Sequence, residues 1–271
     1  MNSDLYSRLR HASVSELREA IRQADYQGHT AGMASGFLQA NLVILPAEHA
    51  LDFMRFCQRN PKPCPLVGVS DTGNAMMHTL GPDIDIRTDV PAYYIYRHGA
   101  LAETVTDLNS YWQPDHVAFA LGCSFTFENA LIEAGIPIWH IEHNKTVPMY
   151  RSSIMTEPAG VFGGEMVVTM RAVEADRVDE VIELCRRFPL AHGAPVHVGD
   201  ARDIGISDLQ KPDWGDAPPP LGKQTSVFWA CGVTPQQVLM RAGLPLSITH
   251  KPGHMLITDI DDQAEVPVYS G

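Results

Sequence analysis

Residues 120–137 read ALGCSFTFENALIEAGIP, and residues 228–245 read FWACGVTPQQVLMRAGLP. The second stretch echoes the first at an offset of 108, with six of eighteen positions identical: Cys, Thr, Leu, Ala, Gly and Pro. Each begins with a β-rich run, Val117–Leu121 or Ser226–Ala230, that meets a corner of small residues, Cys123-Ser124 or Cys231-Gly232. A short helix follows and stops at Gly135 or Gly243, where glycine tolerates a left-handed backbone. Pro137 or Pro245 comes next, then an apolar run, Ile138–Ile141 or Leu246–Thr249, read as a further strand. The grammar is strand, turn, helix, strand, twice over. Thr234, Pro235 and Gln237 have N-cap, N1 and N3 chemistry, and Thr126 is the matching cap in the first copy.

Working outward, residues 13–27 predict an amphipathic helix with capping-box spacing at Ser13 and Glu16. Residues 47–58 predict a second helix, Leu66–Val69 a buried strand, and Ala92–Arg97 with Ala100–Val105 a hairpin turning at His98-Gly99. Between the echoes, Glu165–Val173 reads as a strand, 175–187 as a helix and Val196–Val198 as a strand. A Pro/Gly-rich stretch, KPDWGDAPPPLGK, then leads into the second copy. This divides the chain into a main α/β domain, 1–147 with 225–271, and an inserted two-layer α/β domain, 148–224.

The chain carries 20 Lys+Arg against 32 Asp+Glu, a net charge of −12. That balance repels phosphate backbones and anionic membranes, so neither is an expected partner. A small anionic molecule held by local arginines stays compatible with it. Five cysteines without a CxxC pair indicate neither a disulfide framework nor a thiolate zinc site. No signal core or membrane-length apolar run is present, and a cytoplasmic location is the default expectation. The sequence leaves open a homo-oligomer. Phosphate-loop, dinucleotide and serine-elbow motifs are absent, and no cofactor is expected.

Three kinds of residue carry candidate chemistry. The corners put Cys123, Ser124, Cys231 and Thr234 at helix amino termini, where free N–H groups and the dipole favour a carboxylate. Such a position also lowers a thiol's pKa, so Cys123 or Cys231 is a candidate nucleophile. Close histidine pairs, His192 with His197 and His250 with His254, flank tight turns and suit proton transfer; His140 and His143 form a third pair. Arg87, Arg151 and Arg171 are candidate carboxylate holders. Arg171 lies inside an apolar strand and needs an anionic partner, from a ligand or from Asp89, Glu128, Glu142 or Glu165.

Six blocks together, DIRTDVPAYYIYRHG (85–99), LGCSFTFENALIEAGIP (121–137), HIEHNKTVPMYR (140–151), RFPLAHGAPVHVGD (187–200), FWACGVTPQ (228–236) and ITHKPGHMLITD (248–259), resemble the signature segments of the family called putative hydro-lyases, related to animal D-glutamate cyclase. The resemblance covers about residues 10 to 260. It implies a cytoplasmic lyase with a three-layer α/β/α sandwich and a smaller two-layer unit. The working reaction is dehydrative cyclisation of D-glutamate to 5-oxoproline, or a related elimination of water. In that scheme an arginine holds the α-carboxylate, His250 is the base, and the acid is His254, His197 or Glu128. Corner N–H groups steady the oxyanion, and His192 helps bind substrate. Two other readings stay open: a metal-dependent hydrolase built on the paired histidines, and a non-catalytic carboxylate-binding module.

Overall fold

The computed structural model describes residues 3–143, 145–265 and 267. The chain is mixed α/β, with two antiparallel sheets. In order, α1 (Ser3–Leu9) and α2 (Val14–Arg22) lead into a ten-residue strand, β1 (Phe37–Pro46). Then come α3 (Ala47–Arg59), β2 (Leu66–Val69), β3 (Tyr93–Arg97), β4 (Ala100–Val105), β5 (His116–Gly122), α4 (Phe125–Glu133) and α5 (Trp139–Glu142). β6 (Met149–Met155), β7 (Glu165–Glu174), α6 (Val178–Arg186), β8 (His197–Val198), β9 (Gln224–Ala230), α7 (Val233–Ala242), β10 (Ser247–His250) and β11 (Leu256–Asp261) complete the chain.

β1 is the spine of the larger sheet, ordered β2-β5-β1-β10-β3-β4. One edge of β1 pairs with β5 along its length. The other edge is shared: Phe37–Ala40 pair with β11, and Val43–Ile44 with β10. The partner therefore switches at Asn41–Leu42, where residues 251–255 leave the sheet. Strand alternation sends Leu38, Ala40, Leu42 and Ile44 to one core and Val43 and Leu45 to the other. The second core is closed by Phe53 and Phe56 of α3 and by Val238 and Leu239 of α7. The first is covered by Met77, Leu80, Ile84, Ile86 and Val90, which lie in irregular chain rather than in a helical layer.

The smaller sheet runs β6-β7-β9-β8. Val173, Val227 and Trp229 on one face pack on Phe127 and Leu131 of α4 and on Val181 and Cys185 of α6. The two helices thus cross over. β5 belongs to the larger sheet, yet its following helix packs on the smaller; β9 belongs to the smaller, yet α7 packs on the larger.

Several local expectations hold. The Ser13–Glu16 capping box forms at 2.9 and 3.2 Å. His98 and Gly99, both at positive φ, make the hairpin turn. Gly135 and Gly243 are left-handed at +71° and +63°.

Others are corrected. Helix α2 stops at Arg22, before a left-handed Ala24. The run Ile138–Ile141, expected as a strand, is mostly the one-turn helix α5; four apolar residues do not separate the two by period. The strand at 225–230, grouped with the main domain, pairs along β7 in the smaller sheet. Thr126 and Thr234 are not caps. The caps are Ser124 and Gly232, two residues earlier, and both threonine hydroxyls accept from a neighbouring strand instead, from Gln39 N–H at 3.3 Å and Val167 N–H at 3.0 Å.

Candidate active site

The two corners meet at one cavity of about 620 Å³. Cys123, Ser124 and Phe125 line it from one side and Cys231, Gly232 and Val233 from the other. Each corner is built by the same bonds. Cys123 N–H donates to the Gln39 carbonyl at 3.1 Å, and Cys231 N–H to that of Val167 at 3.0 Å. Thr126 N–H returns to the Cys123 carbonyl at 3.2 Å, and Thr234 N–H to that of Cys231 at 2.9 Å. Val233 N–H faces the Cys231 sulfur at 3.4 Å, and Phe125 N–H faces that of Cys123. The amides of Ser124 and Gly232 keep no acceptor among the described residues, so two helix amino termini offer N–H groups to one space.

Charge makes the site unusual for so acidic a chain. None of the described lining residues is Asp or Glu, five are histidine (His29, His140, His192, His250, His254), and Arg10, Lys145 and Lys251 stand among the rest. Burial raises the Cys123 thiol to about 12 and the Cys231 thiol to about 11. Both are neutral acceptors for helix N–H groups, which removes the thiolate on which a nucleophilic role depends.

Arg171 and Glu128 sit behind this wall, fully buried. The carboxylate that Arg171 required is Glu128, its partner in a short hydrogen-bonded ion pair. The guanidinium lies over the Phe127 and Trp229 rings, at 5.0 and 5.2 Å. Burial works to raise the Glu128 carboxyl, but Arg171 and then His140, at 3.0 Å, outweigh it and hold it at about 2. Glu128 is therefore ionised and has no proton to give as an acid. Arg171 also donates to the hydroxyls of Thr169 (3.0 Å) and Ser124 (3.3 Å), both on the cavity wall. A hydroxyl that accepts from a cation turns its own proton elsewhere, so both present O–H donors.

The histidines differ in tautomer. β1 changes partner at Leu42, whose N–H has no ladder carbonyl and donates to His250 Nδ1 at 3.0 Å; the Leu42 carbonyl is farther, at 3.4 Å. The His250 proton accordingly sits on Nε2. His254 Nδ1–H donates to the Pro252 carbonyl at 2.9 Å, and His192 Nδ1–H to that of Lys62 at 2.7 Å, which leaves each Nε2 a lone pair. Burial lowers all three, His250 and His192 to about 4, and a backbone carbonyl beside each ring offsets part of the effect. All three are neutral near pH 7. His192 is also held at φ +74°, a strained geometry for a side chain larger than glycine.

Three expected residues lie elsewhere. Arg87 is paired to Asp85 at 2.6 Å, two residues away in the chain. Arg151 is exposed over the Trp214 ring beside Asp213. His197 bonds the Asp200 carbonyl at 2.8 Å and packs on Phe228. None of them lines the cavity. Thr234 is buried as a strand-to-helix tie. Asn41, Thr169, His29, Arg10 and Lys251 line the cavity without having been singled out. Asn41 had one sequence signal, a polar residue within an apolar strand.

The D-glutamate cyclase family model matches residues 117–259, which holds both corners, Arg171 and the three neutral histidines. The chain belongs to this family. Its curated relatives carry the name "Putative hydro-lyase". The one from Dinoroseobacter shibae is 64% identical and covers 97% of this chain and 88% of its own. That from Ruegeria pomeroyi is 62% identical, over 97% and 96%. That from Stutzerimonas stutzeri is 52% identical, over 94% and 96%. The chain is accordingly of the lyase type. A nitrogen repressor-like protein of Methanococcus jannaschii aligns over 87% of this chain and 91% of its own, at a TM-score of 0.37 and 10% identity, and its name has no bearing here. Among the described residues no helix is long and apolar enough to cross a membrane.

Proposed function

We propose that this lyase-type chain removes water from a small carboxylate, and that the reaction is cyclisation of D-glutamate to 5-oxo-D-proline. The observation that carries the reading is two neutral imidazoles, His250 and His254, on one cavity whose described lining holds no Asp or Glu; the shorter contact of each ring assigns them opposite tautomers. The roles expected from sequence are reversed. His254 Nε2 has the lone pair and takes a proton from the substrate ammonium. The freed amine attacks the γ-carboxyl carbon. His250 Nε2–H, the Ser124 and Thr169 hydroxyls and the corner N–H groups steady the oxygen charge that develops. The C–N bond forms, one C–O bond breaks, and the two protons shed by nitrogen leave with that oxygen as water, His254 carrying one across.

The test is incubation of the purified protein with D-glutamate and detection of 5-oxoproline, repeated with L-glutamate and with chelator. Turnover of the D-isomer, unaffected by chelator, is the expected result. His254→Ala should lower kcat by roughly 10²–10⁴-fold. Ligand binding without turnover would favour the binding-module reading, and activity lost to chelator the metal hydrolase.

A further inference from the structure

The family match begins at residue 117, yet part of the cavity wall comes from far earlier in the chain. Tyr6, Arg10, residues 27–29, Ala31 and Gly32 line the cavity together with Lys251–Met255, and Arg10 is exposed, which puts it at the mouth. This early segment is fixed in place. Thr30 N–H donates to the Gly253 carbonyl at 2.9 Å, Met255 N–H donates to the Thr30 hydroxyl at 3.0 Å, and Gln39 donates to the Thr30 carbonyl at 3.2 Å. Tyr6 bonds the Ala31 carbonyl at 2.7 Å, and its ring lies 5.1 Å from that of His29.

Three groups on this rim lack the partner their chemistry calls for. Arg10 and Lys251 are cations with no carboxylate among the described residues, whereas Lys145 at the same cavity lies 3.7 Å from Asp216. His29 has a buried Nδ1 with no hydrogen-bond partner among the described residues. A buried unpaired polar atom costs free energy unless a ligand or water completes it. Gly32 is left-handed at +72°, and a Cβ there would come within 3.3 Å of the Tyr6 hydroxyl.

We infer that Arg10, Lys251 and His29 form a second anion subsite at the cavity mouth, which holds the carboxylate that does not react. The family segment supplies the corners where bonds change, and the early segment selects substrates bearing a second negative charge. This rests on the proposal that the cavity takes a small carboxylate.

Titration calorimetry with glutarate, a dicarboxylate without an amine, reads the subsite apart from turnover; butyrate, with one carboxylate, is the control. Glutarate should bind the full chain, and Arg10→Gln and Lys251→Gln should each weaken it about tenfold, the loss of one charge-assisted contact. His29→Phe, which keeps a ring without nitrogen, should weaken it less. Butyrate should bind all four proteins alike. Equal glutarate affinity in wild type and both charge variants overturns the subsite, as does no glutarate binding at millimolar concentration. D-Glutamate turnover with an unchanged KM in both variants overturns the subsite and leaves the reaction standing. Glutarate binding that depends on both charges, without D-glutamate turnover, sustains the subsite and removes the reaction.

Discussion

The Cys123 and Cys231 corners make the same backbone bonds, yet what stands behind them differs. Behind the first, Glu128, Arg171 and His140 form a buried charged cluster. At the same place in the second helix, 108 residues on, stands Gln236, which donates to the His250 carbonyl at 3.2 Å. One scaffold thus serves two electrostatic purposes. Arg171 polarises the Ser124 and Thr169 hydroxyls from behind the cavity wall. At the neutral corner Gln236 holds the His250 backbone, while burial keeps the imidazole uncharged and Leu42 of β1 orients it. A site that must bind an anion and also move a proton near neutral pH needs both.

The largest expected difference is in stability. Arg171→Met leaves the Glu128 carboxylate buried with little compensation and should cost about 3–5 kcal/mol, read by urea unfolding at pH 7. Gln236→Met at the matching position removes one neutral hydrogen bond, from a carbonyl that also accepts from Thr249, and should cost about 1 kcal/mol. Adding Glu128→Leu to Arg171→Met should recover part of the loss. Similar costs at the two corners would break the distinction between them.

Acid should separate them next. His250 and His192 are neutral when folded, at about 4, but take up a proton near 6.5 when unfolded. Between those values the unfolded chain binds more protons, so stability falls as pH drops from 6.5 to 4, by roughly 3 kcal/mol per histidine. Glu128 is ionised when folded down to about 2, against an ordinary 4.5 for a glutamate. Its contribution is present above 4.5 and is lost from there down to 2. The buried neutral histidines should therefore cost stability first, and the Glu128–Arg171 pair only in stronger acid. Unfolding midpoints of wild type and His250→Leu, measured from pH 7 to 3, test the order. The variant should show a shallower slope between 6.5 and 4; an unchanged slope removes His250 from the account.

Much of this was legible in the chain, and the limits have physical causes. The corners announced themselves through small residues and left-handed glycines, and Arg171 through a charge within an apolar strand. Local pairing decided against Arg87, whose Asp85 partner is two residues away and in plain view. Central strand β1 lacks one pattern along its length, because Leu38–Leu42 alternate with Gln39 and Asn41 whereas Leu42–Leu45 are continuously apolar; those two polar residues serve the corners and the cavity. The histidine tautomers were beyond sequence reading. They depend on which carbonyl or amide each ring meets, and for His250 that follows from β1 changing partner at Leu42. The mouth residues were hidden by distance, since Arg10 and Lys251 converge only after folding.

The smallest effects lie at the residue that follows each corner cysteine, Ser124 in one and Gly232 in the other. A Cβ on Gly232 would lie 2.4 Å from the Asn41 amide nitrogen, itself bound to the Leu121 and Gly122 carbonyls. Gly232→Ala must displace that amide and should cost about 1–3 kcal/mol, with a comparable loss of ligand affinity. Ser124→Ala removes one hydroxyl from a position that already accommodates a Cβ. It should change stability by less than about 1 kcal/mol, because Arg171 keeps its bonds to Glu128 and Thr169. Its effect should appear instead as weaker anion binding. Equal tolerance of both alanines, in unfolding and in binding, would mean that Asn41 yields easily and that the close approach of β1 to the second corner does not shape the cavity.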